Sequence, residues 1–345
     1  MRLMRLSGVG LLLAALLGVS APGVAVACAC GGVVSPDVGT RIADEEALVT
    51  MEGGNETIVM RLNLQSSADN AALIVPTPSP ASVTLTSPSL FGELAALSEP
   101  RVETRRHWKL SLPFLVGASS RSAPPTVLEQ VQLGPLEATT STGGDVSGVQ
   151  QWLESHGYTM RPEVVTQLEP YLHQGWSFVA MRLTSDVALD GQLAPVKLEF
   201  ASDRLVYPMR MSAAARNPQR VVVYTLGQHR MQRKDADVAK QHVDIEYAGS
   251  IAGRWHDQAL AELASGRTFL TKFAVDISNP SAITSDFEFS AAPNDDPYQQ
   301  VIYRDEDVDV TPFVLLGGVR LVVAVVAIVA VVLILLLRRN RIPGR

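Results

Sequence analysis

Cys28 and Cys30 are the residues whose type and spacing most directly suggest chemistry, and the chain has no other cysteine. An oxidised pair would close a small, strained ring whose disulfide is comparatively easy to reduce. Free thiols at this spacing could instead exchange disulfides or bind a metal, although two sulfurs leave a metal under-coordinated. Lipid attachment at Cys28 is a third interpretation, because small residues precede it as in a lipobox, with Ala25 standing where leucine is usual.

A second pattern is the stretch His242-Val243-Asp244-Ile245-Glu246. On a strand, alternation places His242, Asp244 and Glu246 on one face and their apolar neighbours on the other. Imidazole and carboxylates at this spacing suit a cation, while a half-buried strand with a solvated polar face explains the same alternation. These three residues join the two cysteines as metal candidates, and no bound cofactor is expected.

Aromatic and histidine residues gather around two adjacent predicted helices: Trp152, His156, Tyr158, Tyr171, His173 and Trp176. Helical spacing puts Trp152 and His156 on neighbouring turns. The pattern is consistent with a ligand cleft and with a packed core that has a polar rim. Because large aromatic side chains dominate protein cores, the sequence favours packing.

The common sequence signatures of enzymes, GxGxxG, GxxxxGK[ST], HExxH, GxSxG and CxxC, do not occur. Their absence argues against nucleotide binding, thermolysin-like hydrolysis, α/β-hydrolase chemistry and thioredoxin-type redox chemistry. An enzyme with dispersed catalytic residues is still compatible with the sequence. A noncatalytic protein is therefore the leading expectation.

Residues 1–27 have the pattern of a secretory signal peptide. Two arginines precede an apolar run from 9 to 19, and Ala25-Val26-Ala27 forms a small-x-small cleavage site before Cys28. An uncleaved anchor fits less well, because Pro22-Gly23 interrupts the apolar stretch. The sequence thus predicts export and removal of this segment.

Residues 313–337 predict one transmembrane helix. The stretch is apolar except for Arg320 and the Gly317-Gly318 pair. At a rise of about 1.5 Å per residue, its length of about 37 Å exceeds a hydrocarbon core of about 30 Å. Arg320 lies near the outer end, where its guanidinium can reach the headgroups or contact a partner helix.

Flanking charges predict the orientation of this helix. Arg338, Arg339 and Arg341 belong to a basic tail, 338–345, whereas acidic residues crowd the preceding tether, 293–312. Cationic residues stay on the cytoplasmic side, so we expect a single-pass protein of the bacterial cell membrane with its C-terminus inside. The signal peptide requires the same orientation.

The exported part is acidic. Seven of the 29 Lys and Arg residues lie in the signal peptide, span and tail, which hold no acid, so 22 remain against 35 Asp and Glu, a balance of −13. This charge argues against nucleic acid or an anionic lipid surface as the main partner, because both recruit Lys and Arg. With only two cysteines, the domain must be stabilised by its buried core.

Apolar periodicity and turn residues predict an α+β domain at 28–292, with a mixed sheet and a few short helices, in addition to the transmembrane helix. The predicted strands are 47–51, 57–62, 71–75, 176–183, 196–201, 221–226 and 269–277. The predicted helices are 89–97, one that ends at Gly157, one from Pro162 to Gly175, and 257–264. A serine- and proline-rich stretch, 117–126, is the candidate internal loop or linker.

Several stretches, taken in order, resemble one bacterial family, that of domain of unknown function 2330. They are Cys28-Ala29-Cys30-Gly31, Ala72-Leu73-Ile74-Val75-Pro76-Thr77-Pro78, Leu90-Phe91-Gly92-Glu93-Leu94, Trp152-Leu153-Glu154-Ser155-His156-Gly157-Tyr158, Gly175-Trp176-Ser177-Phe178-Val179-Ala180 and Tyr207-Pro208-Met209-Arg210-Met211-Ser212. The resemblance spans most of the exported part and implies an exported architecture that is one domain across 117–126. It supplies no activity, cofactor or catalytic residue.

Together these observations predict a membrane-anchored extracytoplasmic protein. Its outer domain is expected to be a noncatalytic module that binds an envelope protein or a cell-wall component, and nucleic acid is not an expected partner. The alternative hypothesis is a thiol-dependent redox or metal-handling envelope protein that uses Cys28 and Cys30.

Overall fold

The computed structural model describes residues 23–27, 32–37, 39–109, 130–131, 137–141 and 147–339. These residues form an α+β structure that consists mostly of β-sheet and ends in a long apolar helix, which confirms the predicted fold class. The chain divides into two units. The first comprises Met1–Ser98 and Leu128–Tyr298, and the second comprises Glu99–Val127 and Gln299–Arg345.

The elements are numbered in chain order. The strands are β1 (Gly23–Ala27), β2 (Gly32–Ser35), β3 (Arg41–Glu52), β4 (Asn55–Gln65), β5 (Asn70–Thr77), β6 (Ser82–Leu85), β7 (Arg101–Lys109), β8 (Gln130–Val131), β9 (Glu137–Ser141), β10 (Tyr158–Thr159), β11 (Ser177–Thr184), β12 (Gly191–Leu193), β13 (Val196–Ala201), β14 (Leu205–Tyr207), β15 (Gln219–Gly227), β16 (Met231–Arg233), β17 (His242–Ser250), β18 (Phe269–Ile277), β19 (Phe287–Ala291), β20 (Tyr298–Gln299) and β21 (Val301–Asp309). The helices are α1 (Leu90–Leu97), α2 (Ser147–Ser155), α3 (Pro162–His173), α4 (Gln258–Leu263) and α5 (Thr311–Arg339), with 3-10 turns at Arg210–Ala214, Val238–Lys240 and Pro280–Ala282.

The first unit contains two large sheets and one small sheet. One large sheet has the order β10-β1-β2-β5-β11-β9, with β10 and β1 parallel and the other neighbours antiparallel. The other follows β17-β18-β15-β3-β4-β12-β8, with β13 joining β4 to β6 and with parallel pairs at β15–β3 and β12–β8. The small sheet is β14-β19-β16. The predicted mixed sheet is therefore confirmed.

Alternate side chains of the central strands enter different hydrophobic cores, since side chains alternate along a strand. In β5, Leu73 and Val75 join a core that draws residues from both large sheets, whereas Ile74 joins a core shared with α2 and α3. In β3, Val49 enters the first core and Leu48 a third core shared with α1 and α4. The layers are therefore helices, sheet, sheet and helices. Burial of both faces explains why 71–75 is a continuous apolar run.

Local turn chemistry places several element ends where the sequence predicts them. Gly53 and Gly54 join β3 to β4 with φ of 56° and 80°, a left-handed conformation that glycine adopts without steric cost. Pro162 opens α3, a first-turn position where its missing N–H is not needed. The predicted strands at 47–51 and 57–62 and the predicted helix starting at Pro162 are thus confirmed.

The second unit contains a two-stranded parallel ribbon followed by α5. The strands β7 and β21 pair from Arg101 opposite Val301 to Lys109 opposite Asp309. The Val310 N–H then donates to the Lys109 carbonyl at 3.0 Å, and α5 begins at Thr311. Strand β21 lies within the stretch predicted as an acidic tether, 293–312, and the predicted loop at 117–126 lies outside the described residues.

Candidate functional site

The ribbon joins two segments of opposite charge. Strand β7 carries four Arg or Lys and one Glu, a charge of +3, and β21 carries four Asp or Glu and one Arg, a charge of −3. Parallel pairing brings these strands side by side and makes the ribbon close to neutral. Opposite charges across strands favour pairing by about 0.2–1 kcal/mol each. The composition of the two segments therefore supports their pairing.

Individual contacts follow a diagonal pattern along one face of the ribbon. His107 Nε2 lies 2.8 Å from Asp305 Oδ1, and Lys109 Nζ lies 3.3 Å from Asp307 Oδ2, so each of these side chains meets the acid two positions before its own register partner. The Arg105 guanidinium lies over the Tyr303 ring at 3.3 Å from its centroid. Because the paired side chains are exposed, each ion pair contributes less than about 1 kcal/mol.

Helix α5 continues directly from this ribbon. Its segment Leu316–Leu336 is long and apolar enough to cross a membrane, with a mean hydropathy of 3.3. The side chains described along that segment, including Arg320, are exposed to solvent. Arg338 and Arg339 form the end of α5, and Arg341 lies outside the described residues.

Of the three predicted metal candidates on β17, two contact each other and the third contacts basic side chains. His242 Nε2 lies 3.2 Å from Asp244 Oδ2, and both side chains are exposed. The pairing register of β17 shifts between Ile245 and Tyr247, at Glu246. Glu246 contacts Lys272 Nζ at 2.7 Å and Arg220 Nη2 at 3.3 Å instead.

Among the described residues, no group of three or more His, Cys, Asp or Glu side chains is arranged to hold a metal ion. Cys28 and Cys30 lie outside the described residues. The thiol hypothesis therefore stays a prediction from the sequence.

The aromatic residues near α2 and α3 serve mainly as core. Tyr158, Tyr171 and Trp176 are buried together with apolar side chains of both helices. Trp152 and His156 stack at 4.3 Å between ring centroids on the rim of this core. Hydrogen bonds that the imidazole of His156 donates to the Trp152 carbonyl and to Glu137, whose Oε1 lies 3.0 Å from Nε2, raise the pKa of His156. The structure agrees with the packing interpretation.

Asp286 joins three elements that are distant in sequence. Its Oδ1 accepts from the Tyr171 hydroxyl at 2.5 Å and from the Met209 N–H at 2.7 Å, and its Oδ2 accepts from Arg210 Nε at 2.9 Å. The Arg210 guanidinium also lies 4.2 Å from the centroid of the Tyr171 ring. Burial, followed by the Asp286 charge, raises the pKa of Tyr171. Sequence reasoning missed Asp286, although it singled out Tyr171 and the stretch that contains Arg210, which both contact this acid.

A second group of hydrogen-bonded acidic side chains lies beside β16 and β19. Asp235 pairs with Arg233 at 2.6 Å, and both side chains are almost fully buried. Asp237 accepts the N–H groups of Thr284 and Ser285 at 2.6 and 2.8 Å. Burial opposes ionisation of Asp237, but its hydrogen bonds prevail and hold its pKa below the usual value. These carboxylates stabilise loops of the fold.

The protein-family comparison matches residues 24–290 to DUF2330, described as an uncharacterized protein conserved in bacteria. The chain belongs to the DUF2330 family. The matched range begins inside β1, which overlaps the predicted signal peptide, and ends inside β19, before β21 and α5. No curated protein matches the chain.

Among solved structures, the DUF2330 chain is similar to baculovirus P35, with 10% identity, a TM-score of 0.38, and coverage of 77% of this chain and 98% of that one. A mutated baculovirus P35 after caspase cleavage matches with 9% identity, a TM-score of 0.33, and coverage of 75% and 100%.

The DUF2330 domain also holds one acid in an unusual environment. Glu56 on β4 is fully buried, and its Oε1 accepts the Val206 N–H at 2.9 Å. Its Oε2 has no hydrogen-bond partner among the described residues. Burial raises the pKa of Glu56 to about 8 against the opposing effects of Val206, Ser202 and Arg204. The carboxyl group is thus mostly protonated at neutral pH.

Residues 201–204, at the C-terminal end of β13 and directly after it, also border an open groove of about 510 Å³. Pro78, Gln174 and Trp176 line the same groove. Trp176 is only 4% exposed, so it offers little aromatic surface to a ligand there.

Proposed function

We propose that this DUF2330 protein is a single-pass protein of the bacterial cell membrane whose extracytoplasmic part is a noncatalytic interaction module. The observation that carries the proposal is the apolar composition and the exposure of α5. Its described side chains from Leu316 to Leu336 are exposed and almost all apolar, so the helix needs an apolar solvent along its length. A helix satisfies its own backbone hydrogen bonds, which a membrane interior requires.

Two features of the sequence support an outward-facing domain. Basic residues crowd the C-terminal end of α5, and Arg or Lys near a span stay in the cytoplasm. The exported part carries a balance of −13, which favours solubility in an aqueous compartment. The pattern of residues 1–27 requires the same orientation.

The contacts of three buried carboxylates support a structural role for them rather than a catalytic one. Asp286 and Asp237 are engaged by donors from neighbouring segments, and Asp235 is engaged by Arg233. Carboxylates held this way maintain loop positions, as hydrogen-bonded buried acids do. The proposed partner is an envelope protein or a cell-wall component that meets the acidic outer surface.

Anchoring is tested by washing membranes that contain the full chain with alkaline carbonate. We expect the protein to stay in the membrane pellet, and Val325→Arg combined with Val329→Arg to release it into the supernatant. A matched pair, Val325→Leu with Val329→Leu, should stay in the pellet. Release of the unaltered chain would contradict the proposal.

Orientation is tested by adding protease to intact right-side-out cells. The outer domain should be digested while an epitope added after Arg345 is protected. The noncatalytic role fails if the purified protein turns over a substrate and loses that activity after one conservative side-chain change.

A further inference from the structure

We propose that the end of the ribbon beside α5 is a lipid-contact surface, with Trp108 lying in the headgroup layer of the membrane that α5 crosses. The inference rests on the proposed function, since it requires α5 to span. Its occupant is the phospholipid headgroup region of the outer leaflet.

The strand register places Trp108 close to the start of α5. Trp108 lies opposite Val308, and the next pair, Lys109 and Asp309, is followed by the Val310-to-Lys109 hydrogen bond of 3.0 Å. Helix α5 begins at the residue after Val310. The indole therefore belongs to the end of the ribbon from which the apolar helix starts.

The distance to the hydrocarbon can be estimated from backbone rises. From Val308 to residue 313 the chain makes about two extended steps of 3.3 Å and three helical steps of 1.5 Å, or roughly 11 Å. The interfacial layer of a bilayer is about 6 Å thick on each side. With residue 313 at the hydrocarbon boundary, the Trp108 backbone lies about 5 Å above this layer, within reach of a large side chain.

The chemistry of the exposed side chain fits such a layer. Trp108 is 73% exposed, the highest value among the large hydrophobic side chains described. Tryptophan has an apolar body and one N–H donor, and it concentrates where hydrocarbon meets headgroups.

Electrostatics permits this part of an acidic protein to approach lipid. The balance of −13 in the exported part would oppose contact with an anionic surface. The ribbon cancels its own charge, because β7 carries +3 and β21 carries −3. At the end beside α5, Lys109 Nζ lies 3.3 Å from Asp307 Oδ2, so these two charges compensate each other there.

The test uses the full chain reconstituted in phosphatidylcholine vesicles whose acyl chains are brominated near the headgroup. Bromine quenches indole fluorescence only at short range. We expect the wild-type emission to be partly quenched, and Trp108→Phe to reduce the quenched fraction to the background measured with unbrominated lipid. The matched control is Trp255→Phe, because Trp255 packs against the core formed with α1 and α4, and it should keep the wild-type quenching.

Two outcomes separate this inference from the proposed function. Equal quenching in the wild type and Trp108→Phe, or no quenching in a chain that resists carbonate, would overturn the lipid contact and leave the anchor standing. Release of the reconstituted chain by carbonate would overturn both. An unchanged thermal unfolding transition in Trp108→Phe shows that any loss of quenching is local.

Discussion

The raised pKa of Glu56 leads to a prediction of how the stability of this domain depends on pH. The pKa of this buried carboxyl is about 8 in the folded chain, against an ordinary value of 4.5. Between these values the folded state holds one proton more than the unfolded state, so the free energy of unfolding falls as pH rises. At about 1.4 kcal/mol per pH unit, the total loss between pH 4.5 and 8 is on the order of 5 kcal/mol. The stability is fully present below pH 4.5 and is lost as pH rises through 8.

Replacing this group by a neutral isostere should remove the effect. In Glu56→Gln the side-chain oxygen can still accept the Val206 N–H, so we expect stability at pH 4 within about 1 kcal/mol of wild type. At pH 8.5 the variant should be more stable by a few kcal/mol, because no charge is left to bury.

The assay is urea unfolding of the full chain in detergent, followed by tryptophan fluorescence at intervals from pH 4 to 9. Glu199→Gln is the matched control, because Glu199 lies on the adjacent strand β13 with its side chain 46% exposed. The control should follow the wild-type curve. If the free energy of unfolding of Glu56→Gln has the same pH dependence as that of the wild type over the whole range, the assigned protonation of Glu56 is refuted.

Three further predictions concern other sites. Hydrogen bonds that His156 donates to the Trp152 carbonyl and to Glu137 raise the pKa of His156, so Glu137→Gln should lower that pKa in an NMR titration. The raised pKa stabilises the fold below about pH 6.5, and this stabilisation is lost as pH rises through the folded-state pKa. The melting temperature of the variant should therefore depend less on pH in this range. An unchanged titration would contradict the assignment. Asp286→Ala should destabilise the fold by about 3–5 kcal/mol in urea, because it leaves buried donors and a cation unpaired; a loss under 1 kcal/mol would contradict this. The intact mass should correspond to a chain that starts at Cys28, and a mass that includes 23–27 would contradict cleavage. If the two thiols form a disulfide, the chain should gain two alkyl groups only after reduction. A gain of two groups without reduction would favour the redox or metal hypothesis.

Features with local causes could be predicted from the sequence. The hairpin around Gly53-Gly54 follows from residues that accept positive φ, and α3 follows from Pro162 and an apolar stripe. Helix α5 follows from its composition, since a continuous apolar run on every helical face has few other stable forms. In each case the deciding interactions lie within a few residues along the chain.

Tertiary structure decided which distant segments meet. The acidic stretch before α5 forms a strand because it pairs with β7, about 200 residues earlier, and only the fold brings these two segments together. Likewise, the alternation at 242–246 does not reveal the register shift at Glu246 or its contact with Lys272, which depend on the neighbouring strands. A sequence pattern specifies which face a side chain prefers, but not which partner lies there.

The same reason separates the two kinds of site in this protein. The apolar helix that could span a membrane was predictable from the sequence, because its composition and length belong to one continuous segment. The environments of Glu56 and Asp286 were not, because their hydrogen-bond partners come from segments 76 to 150 residues away. A carboxyl group has the same sequence signature whether it is solvated or buried, and only the packing around it decides whether it is protonated, ionised or structural.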